Sequence, residues 1–307
     1  MGRTIDIFCA GELLVDFTTA EFVRTPDEAT LFRRLPGGSP ANLSMNMARL
    51  GKKAMLAATV GTDDMGNVLK NYVARLGVDV SCLAQVEEPT TLSLDVRTAS
   101  GTGRQIYRTA DHLLSIRQFP YGRFDDISIF YTTCFAMSKL PARQVLLQAS
   151  ERAHRAGMRL SMDVNYSEKI WPDRRDAQRI VGEYCRLGGI IKISDSDYLN
   201  LYGEEKSAPE AVLDQFLRLG AGEICYTLGA NGCWVADQKS RHFSPASPAE
   251  VKDPIGAGDA FWAGYLTALL EEKTLEERAL AGHRLAELKI SNFGPLPDQL
   301  DPNMLFD

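Results

Sequence analysis

Several residue types and patterns are scarce in this 307-residue sequence, and each shortage excludes a class of site or fold. The 4 histidines and 6 cysteines show no metal-ligand spacing, and no two cysteines form a Cys-x-x-Cys pair. This excludes a zinc centre built on such ligands and favours buried free thiols over disulfides. No run of about 18 apolar residues occurs, which excludes a transmembrane helix. A Gly-x-x-x-x-Gly-Lys-[Ser/Thr] phosphate loop is also missing, so any phosphate must be held in another way.

Positive charge is not in excess either, because 34 Lys and Arg stand against 40 Asp and Glu, a net charge of −6. With an isoelectric point near 5.4, the chain does not carry the basic field that binding to a nucleic-acid backbone requires. The N-terminal segment reaches a strand-like stretch within five residues and has no long apolar signal core. We therefore expect a cytoplasmic protein with no nucleic-acid or membrane partner.

The sequence contains a regular alternation of helix-like and strand-like segments. Helical periodicity is found at 40–50, 64–76, 141–156, 173–187, 209–219, 257–272 and 274–290, and apolar strand-like runs are found at 54–60, 127–132, 158–164, 189–194 and 223–228. Continuous apolar runs between helices are typical of parallel strands that are covered on both faces. The pattern predicts an α/β fold with a doubly wound, mainly parallel sheet in a single domain over 1–307.

Two segments, 12–36 and 89–112, interrupt this alternation with strand-like runs and no intervening helix. The second contains a hairpin signal around Ser-Gly-Thr-Gly. The two segments are predicted to pair into a small sheet that projects from the main domain as a lid. In the hairpin, the apolar residues Leu92, Leu94, Val96 and Ile106 alternate with polar neighbours. We expect these side chains to form an apolar face that is covered in a homodimer.

The most informative motif is Gly256-Ala257-Gly258-Asp259, which opens an apolar helix. Small residues at a helix start allow an anion to approach the free backbone amides, and the helix dipole adds to the attraction. A carboxylate beside such an anion site can accept a hydroxyl proton while the amides hold a phosphoryl group. The alternative is a glycine-rich turn in which Asp259 only favours the helix start.

A second motif lies near the N-terminus, where Gly37 and Gly38 precede a helix that Pro40 can begin. Asn42 then lies in the first turn of that helix. Its side-chain amide can bond a ligand hydroxyl or simply lie on the helix surface.

Taken together, the segments GGSPAN, VGTDDMGNVLKNYVARLGVD and DPIGAGDAF resemble those of the PfkB-type, ribokinase-like sugar kinases. The resemblance covers nearly the whole chain, keeps the order of the motifs, and is most specific at the glycine-rich end motif. Supporting positions are Gly11-Glu12, Asp16, Thr90-Thr91, Asp163-Val164-Asn165 and Thr227-Leu228-Gly229.

The resemblance implies an ATP-dependent, magnesium-requiring kinase and assigns roles to individual residues. Asp259 would be the base, and the amides of Gly256, Ala257 and Gly258 would stabilise the transferred phosphoryl group. Sugar binding is implied for Asp16, Gly38, Asn42 and Asn165, with Arg108 reaching the sugar from the lid. Nucleotide and magnesium-phosphate binding is implied for Ser194, Asp197, Thr227, Gly229 and His283. Asp253 and the backbone around Ile255 and Gly294 match a monovalent-cation site, which implies potassium.

The sequence departs from the family pattern at several of these positions. Residues 254–255 are Pro-Ile in place of two threonines, and the Asn-x-x-Glu element reads Ser194-Asp195-Ser196-Asp197. Ser167 replaces an arginine of the fructokinase pattern, and His283 stands where many relatives have asparagine. Two of these departures lie in the magnesium-phosphate and monovalent-cation sites that the resemblance implies.

The overall pattern is most similar to the fructokinase subgroup, with 2-keto-3-deoxygluconate kinase and ribokinase as alternatives. Arg97, Arg104 and Arg108 offer a cation for a keto-acid carboxylate, whereas Asp16 would repel one, which favours a neutral sugar. A non-catalytic sugar-binding relative is an alternative of another class. A dinucleotide-dependent oxidoreductase is disfavoured because no Gly-x-Gly-x-x-Gly follows the first strand.

Overall fold

The computed structural model describes residues 2–98, 101–203 and 208–306. Its strands are β1 (Ile5–Ala10), β2 (Leu14–Thr19), β3 (Phe32–Gly37), β4 (Ala54–Gly61), β5 (Leu83–Val86), β6 (Leu92–Thr98), β7 (Gly101–Tyr107), β8 (Ile127–Thr133), β9 (Arg159–Asp163), β10 (Ile190–Ser194), β11 (Glu223–Thr227), β12 (Cys233–Asp237) and β13 (Arg241–Ser244). Its α-helices are α1 (Ser39–Arg49), α2 (Asp64–Arg75), α3 (Ala142–Arg155), α4 (Arg174–Arg186), α5 (Asp195–Tyr202), α6 (Pro209–Arg218), α7 (Ala257–Leu270) and α8 (Leu275–Ile290).

In the described residues, nine strands form the main sheet in the order β13-β12-β11-β10-β9-β8-β1-β4-β5. All neighbouring strands from β11 through β5 run parallel, and the antiparallel pairs in the described part of this sheet are β11–β12 and β12–β13. Parallel strands place their carboxyl ends along one edge, where ligands bind in such sheets. The prediction of a doubly wound, mainly parallel sheet is confirmed.

Two hydrophobic cores cover the two faces of this sheet. Side chains alternate between faces along a strand, so Phe8 and Ala10 of β1 join one core while Ile7 and Cys9 join the other. Helices α3 to α6 cover the first face, and α1, α2, α7 and α8 cover the second. These four side chains of β1 are fully buried. Burial on both faces explains why such strands appear in the sequence as continuous apolar runs.

A second sheet, called the lid sheet below, has the order β3-β2-β6-β7. Its strands come from the two segments that interrupt the alternation. On β6 the polar residues Ser93, Asp95 and Arg97 are buried, whereas Leu92, Leu94 and Val96 are only half-buried. The lid sheet therefore turns a polar face inward and an apolar face outward.

Ile106 does not join the outward apolar face as expected. It pairs with Ser93 across the β6–β7 hairpin, and residues directly opposite each other point to the same side of a sheet. Ile106 therefore lies on the inner face and lines a cavity. The expected grouping with Leu92, Leu94 and Val96 is wrong for this one residue.

Three short strands, β5, β12 and β13, were not predicted from the sequence. They are four or five residues long and lie at the two ends of the main sheet, where a full apolar run is not required. All six cysteines are buried and free. Among the described residues, no helix is long and apolar enough to cross a bilayer.

Candidate active site

A cavity of about 750 Å³ lies between the carboxyl edge of the main sheet and the inner face of the lid sheet. One end is polar and meets the lid sheet, and the other end reaches β11 and α8. The polar end is lined by Glu12, Asp16, Ser39, Asn42, Ser93, Arg104 and Asn165. The middle is lined by Asp163, Lys192, Gly256, Ala257, Gly258 and Asp259, and the far end by Ser194, Asp197, Thr227, Gly229 and His283.

The start of helix α7 faces the middle of the cavity. Gly256 is its N-cap, with a φ of 79° in the left-handed region that favours glycine. The next amide, from Ala257, donates to the carbonyl of Pro254 at 3.2 Å, so it is partly engaged in the preceding turn. α-Helix geometry leaves the amides of Gly258 and Asp259 without intrahelical acceptors. This end of α7 has the form of an anion site.

Asp259 lies in the first turn of α7 and is buried at the cavity wall. The Asn42 amide donates to Asp259 Oδ2 at 2.9 Å, which joins the two motifs singled out from the sequence. Burial raises the pKa of Asp259 to about 6, the Asp163 carboxylate adds to the rise, and Asn42 and Lys192 oppose it. Such a carboxylate is ionised at neutral pH and can accept a proton.

At the polar end, Asp16 is positioned by β2 and presents a carboxylate that is incompletely bonded. In the described part of the chain, its buried Oδ1 has no hydrogen-bond partner. Burial raises the pKa of Asp16 to about 7, and Arg104 opposes that rise. A ligand hydroxyl would satisfy this oxygen, as buried polar atoms require.

Gly38 allows the chain to turn closely against this end of the cavity. Its φ is 98°, and a Cβ at this position would lie 2.3 Å from the Glu12 carbonyl oxygen. The Glu12 side chain accepts hydrogen bonds from the Ser39 amide and the Thr133 hydroxyl. Burial raises the pKa of Glu12 to about 8. Glu12 therefore ties the ends of β1 and β8 to the start of α1.

Asn165 follows β9 in an uncommon backbone conformation, with a φ of 35°. Its side-chain amide donates to Ser39 Oγ at 2.8 Å. Non-glycine residues with positive φ are uncommon and are often found at functional sites. Asn165 is thus held against the same end of the cavity as Gly38 and Asn42.

The structure does not direct Arg108 to the cavity as the resemblance implied. Its guanidinium donates to Asp111 Oδ2 at 2.6 and 2.9 Å and bonds the Phe135 carbonyl and the Ser138 hydroxyl. The lid arginine that lines the cavity is Arg104, which holds Asp95 through two bonds of 2.6 and 2.8 Å.

Lys192 is a functional candidate that sequence reasoning missed. Its ammonium lies 2.7 Å from Asp163 Oδ2, and a Cβ on Gly258 would lie 3.4 Å from its Nζ. Burial alone would lower the pKa of Lys192, but Asp163 raises it above its ordinary value. A lysine inside the apolar run Ile-Ile-Lys-Ile-Ser of a buried strand was the available signal, because a lysine is seldom fully buried unless paired.

The far end of the cavity brings together the residues implied for nucleotide binding. Thr227 is the last residue of β11, and Gly229 lies two residues beyond it. His283 of α8 is partly buried, with Nε2 3.2 Å from the Ser244 carbonyl oxygen. Ser194 and Asp197 form a capping box at the start of α5. The Tyr166 amide also donates to Asp197 at 2.9 Å. The Asp197 carboxylate therefore already accepts several hydrogen bonds from the protein.

The donor set fits a magnesium ion that arrives with nucleotide phosphates. Magnesium is usually held by one or two carboxylates together with substrate phosphates and water. Asp195 and Asp197 line the cavity, and the buried Asp163 Oδ1 has no hydrogen-bond partner in the described residues. Within these residues, no group of three or more acidic, histidine or cysteine side chains is arranged to hold a metal ion.

The residues implied for potassium do not fit that ion. Asp253 accepts hydrogen bonds from the amides of Ile255 and Gly294 at 3.2 and 3.0 Å. The ammonium of Lys289 lies 3.3 Å from the same carboxylate and 3.4 Å from the Asp253 carbonyl oxygen. Both carboxylate oxygens and the carbonyl oxygen of Asp253 are therefore already engaged by nitrogen donors, one of which is itself a cation.

Comparison with known proteins agrees with this geometry. Residues 4–301 match the family described as "pfkB family carbohydrate kinase". Two similar relatives are an ATP-dependent 6-phosphofructokinase of Thermoanaerobacterium thermosaccharolyticum, 27% identical over 97% of this chain and 92% of the relative, and Fructokinase-1 of Oryza sativa, 28% identical over 96% and 95%. A crystal structure of fructokinase with bound ATP from Xylella fastidiosa aligns with a TM-score of 0.86 and 22% identity over 98% and 97% of the two chains.

These matches confirm the predicted family, the resemblance to the fructokinase subgroup and the ribokinase-like fold. They support a kinase rather than the oxidoreductase or non-catalytic alternative, because the family and the relatives are described as kinases. The chain therefore belongs to the pfkB family of carbohydrate kinases, and it is a phosphotransferase that acts on a hydroxyl group of a sugar.

Proposed function

We propose that this enzyme transfers the γ-phosphoryl group of ATP to a hydroxyl of a small neutral hexose, with fructose as the substrate. The observation that carries the proposal is the position of Asp259. It lies between the polar end, where Asp16 Oδ1 has no hydrogen-bond partner among the described residues, and the amides at the start of α7. A sugar bound to Asp16 and Asn42 would present a hydroxyl to a base that stands beside an anion site.

The reaction then follows from the chain's own residues. Asp259 accepts the proton of the attacking hydroxyl, while the amide of Gly258 and the ammonium of Lys192 stabilise the charge on the transferred phosphoryl group. Thr227, Gly229 and His283 border the nucleotide. Magnesium, held with Asp195 or Asp197, would supply charge neutralisation on the phosphates.

The charge balance at the polar end favours a neutral acceptor. Arg104 is the cation that faces this end, and it is already neutralised by its two bonds to Asp95. Asp16 adds a carboxylate in the same region. Among the described residues, a sugar carboxylate or phosphate placed there would meet the Asp16 carboxylate and an arginine already paired with Asp95, which opposes its binding.

A panel of acceptors tests the substrate proposal. Rates of ADP formation would be measured with fructose, ribose, fructose 6-phosphate and 2-keto-3-deoxygluconate, and the Asp259→Asn variant would give the background. We expect the highest kcat/KM with fructose. Fructose 6-phosphate is included because one relative is named a 6-phosphofructokinase. A clearly higher kcat/KM with either charged acceptor would overturn the neutral-hexose proposal and leave the kinase assignment intact.

We also propose that the outer face of the lid sheet forms a homodimer interface. Leu92, Leu94 and Val96 lie half-buried on this face, and Tyr107, opposite Leu92, is 59% exposed. A contiguous apolar face of this kind usually marks an interaction surface.

The dimer proposal is tested by light scattering on Leu94→Glu. We expect a dimer for the unmodified protein and a monomer for the variant, because a charge would be buried at the interface. Leu280→Glu is the matched control, since Leu280 is an exposed leucine on α8 and its replacement should leave the dimer intact. A monomeric unmodified protein contradicts the proposal.

A further inference from the structure

Lys289 is a buried lysine whose ammonium lies against the turn that precedes α7. It is the penultimate residue of α8 and is 7% exposed. Its Nζ lies 3.3 Å from Asp253 Oδ2 and 3.4 Å from the Asp253 carbonyl oxygen. Burying a lysine is unfavourable unless its charge is paired, so a specific role for this position is expected.

The side chain reaches the turn that sets the start of α7. A Cβ on Gly256 would lie 3.6 Å from Lys289 Cε, and both residues line a small cavity of about 60 Å³ behind the main one. Asp253 is fixed on its other sides by the amides of Ile255 and Gly294. The ammonium therefore completes a ring of donors around the carboxylate that anchors the 253–256 turn.

We propose that the Lys289 ammonium is a built-in monovalent cation, which takes the place of an exchangeable potassium ion at this turn. An ammonium group carries the same single charge as potassium and is of similar size. It differs in that it is covalently attached, so its occupancy does not depend on the salt. Lys289 is a positioning residue, because it acts through the turn that presents the α7 amides.

The ammonium of Lys289 is paired with a carboxylate at this position. Burial lowers the pKa of Lys289 overall, although the carboxylates of Asp253 and Asp259 act in the opposite direction. Its position at the carboxyl end of α8 adds a favourable interaction with the helix dipole. Removing the ammonium would leave Asp253 buried without a cation.

The first experiment measures the unmodified enzyme in potassium, sodium and choline chloride at equal ionic strength. We expect kcat and the melting temperature to be the same in all three salts. A several-fold activation by potassium would overturn the proposal, whether or not any variant folds. The melting temperature requires no substrate, so this arm is independent of the proposed acceptor and its failure is distinguishable from failure of that proposal.

The second experiment uses Lys289→Ala, which removes the charge and leaves room for an ion. In choline we expect kcat to fall at least tenfold with little change in the sugar KM. Potassium or ammonium should restore several-fold activity and raise the melting temperature by about 2 °C or more, because an ion that binds only the folded protein stabilises it. Lys289→Arg, which keeps the charge, should retain more activity than the alanine variant in choline.

Lys252→Ala is the matched control, because it removes an exposed lysine next to Asp253 and should respond to no cation. Full activity of Lys289→Ala in choline would contradict a role for the lysine. A loss that neither potassium nor ammonium restores, in rate or in melting temperature, would show a purely structural role and would equally overturn the proposal. If Lys289→Ala does not fold, Lys289→Met provides the same comparison in choline with a side chain of similar length.

Discussion

The main sheet and the lid sheet differ in where they place polar and apolar side chains. In the main sheet the strands are apolar on both faces, and β4 is buried at every residue. In the lid sheet β6 alternates, with Ser93, Asp95 and Arg97 turned inward and the apolar residues turned outward. The main sheet thus keeps most of its polar cavity residues at or beyond the carboxyl ends of its strands, with Lys192 inside β10 as an exception. The lid sheet instead presents polar groups along a whole face of β6.

This difference separates the two tasks of the enzyme. The residues that we propose to act on the phosphoryl group, Lys192 and Asp259, are held by elements packed into the two cores. Residues that face the sugar end from the lid, such as Arg104, lie on a partly exposed hairpin. We therefore expect changes in the main domain to lower the rate of transfer, and changes in the lid to alter affinity and choice of sugar.

The largest effect is expected for Asp259→Asn in the main domain. Loss of a general base typically costs about 10²–10⁴-fold in rate, while asparagine keeps the volume and the helix-start preference. Since burial raises the pKa of Asp259 to about 6, activity of the unmodified enzyme should fall as the pH drops below this value. This acid limb should be absent from the residual activity of the variant. A kcat within about threefold of the unmodified enzyme, far short of that range, would contradict the assignment.

Lys192→Met should give the next largest loss. The ammonium lies beside Gly258, and removal of one group that stabilises the transferred charge typically costs about 10²–10³-fold in kcat. The variant also leaves Asp163 without its cation, so the melting temperature should be measured alongside the kinetics. Lys239→Met, at an exposed turn, is the control and should behave like the unmodified enzyme. An unchanged kcat would remove Lys192 from the phosphoryl site.

In the lid, Arg104→Gln should affect affinity more than rate. Loss of a charged hydrogen-bonding group typically costs about 1.5–3 kcal/mol, which predicts a sugar KM raised by roughly tenfold or more and a kcat within about threefold. Arg34→Gln, an exposed lid arginine, is the control and should leave KM unchanged. If Arg104→Gln lowers kcat as strongly as Lys192→Met, the division of tasks between the two regions is wrong.

The smallest effect is expected at Glu12, where the two regions meet. Because burial raises the pKa of Glu12 from 4.5 to about 8, the folded state binds this proton more tightly than the unfolded state, and the ionised carboxylate opposes folding as the pH rises. The free energy of unfolding of Glu12→Gln, relative to the unmodified protein, should therefore increase between pH 5 and pH 8 by on the order of 1–3 kcal/mol.

Denaturant unfolding at both pH values measures this difference for Glu12→Gln. The surface variant Glu210→Gln should show no comparable change between the two pH values. A pH-independent difference for Glu12→Gln would show that the carboxylate does not titrate in this range.

Prediction from sequence succeeded where the signal was local. The apolar runs of β4, β8 and β10 and the periodicity of α7 reflect burial that each segment encodes directly. The motif around Asp259 is also local, because the glycines and the carboxylate that face the cavity are adjacent in the chain. Short strands at the ends of the main sheet have no such signal, and they escaped prediction.

Patterns of residue type and spacing were sufficient to determine the alternating fold, the two lid segments and the position of Asp259 at a helix start. Only the tertiary structure decided which distant charges meet. It placed Lys192 beside Gly258, turned Arg104 rather than Arg108 to the cavity, and brought Lys289 to Asp253. The physical reason is that the side-chain pattern of a buried strand or an amphipathic helix is contained in one short segment of sequence. The pairing of two charges depends instead on how separate strands and helices pack.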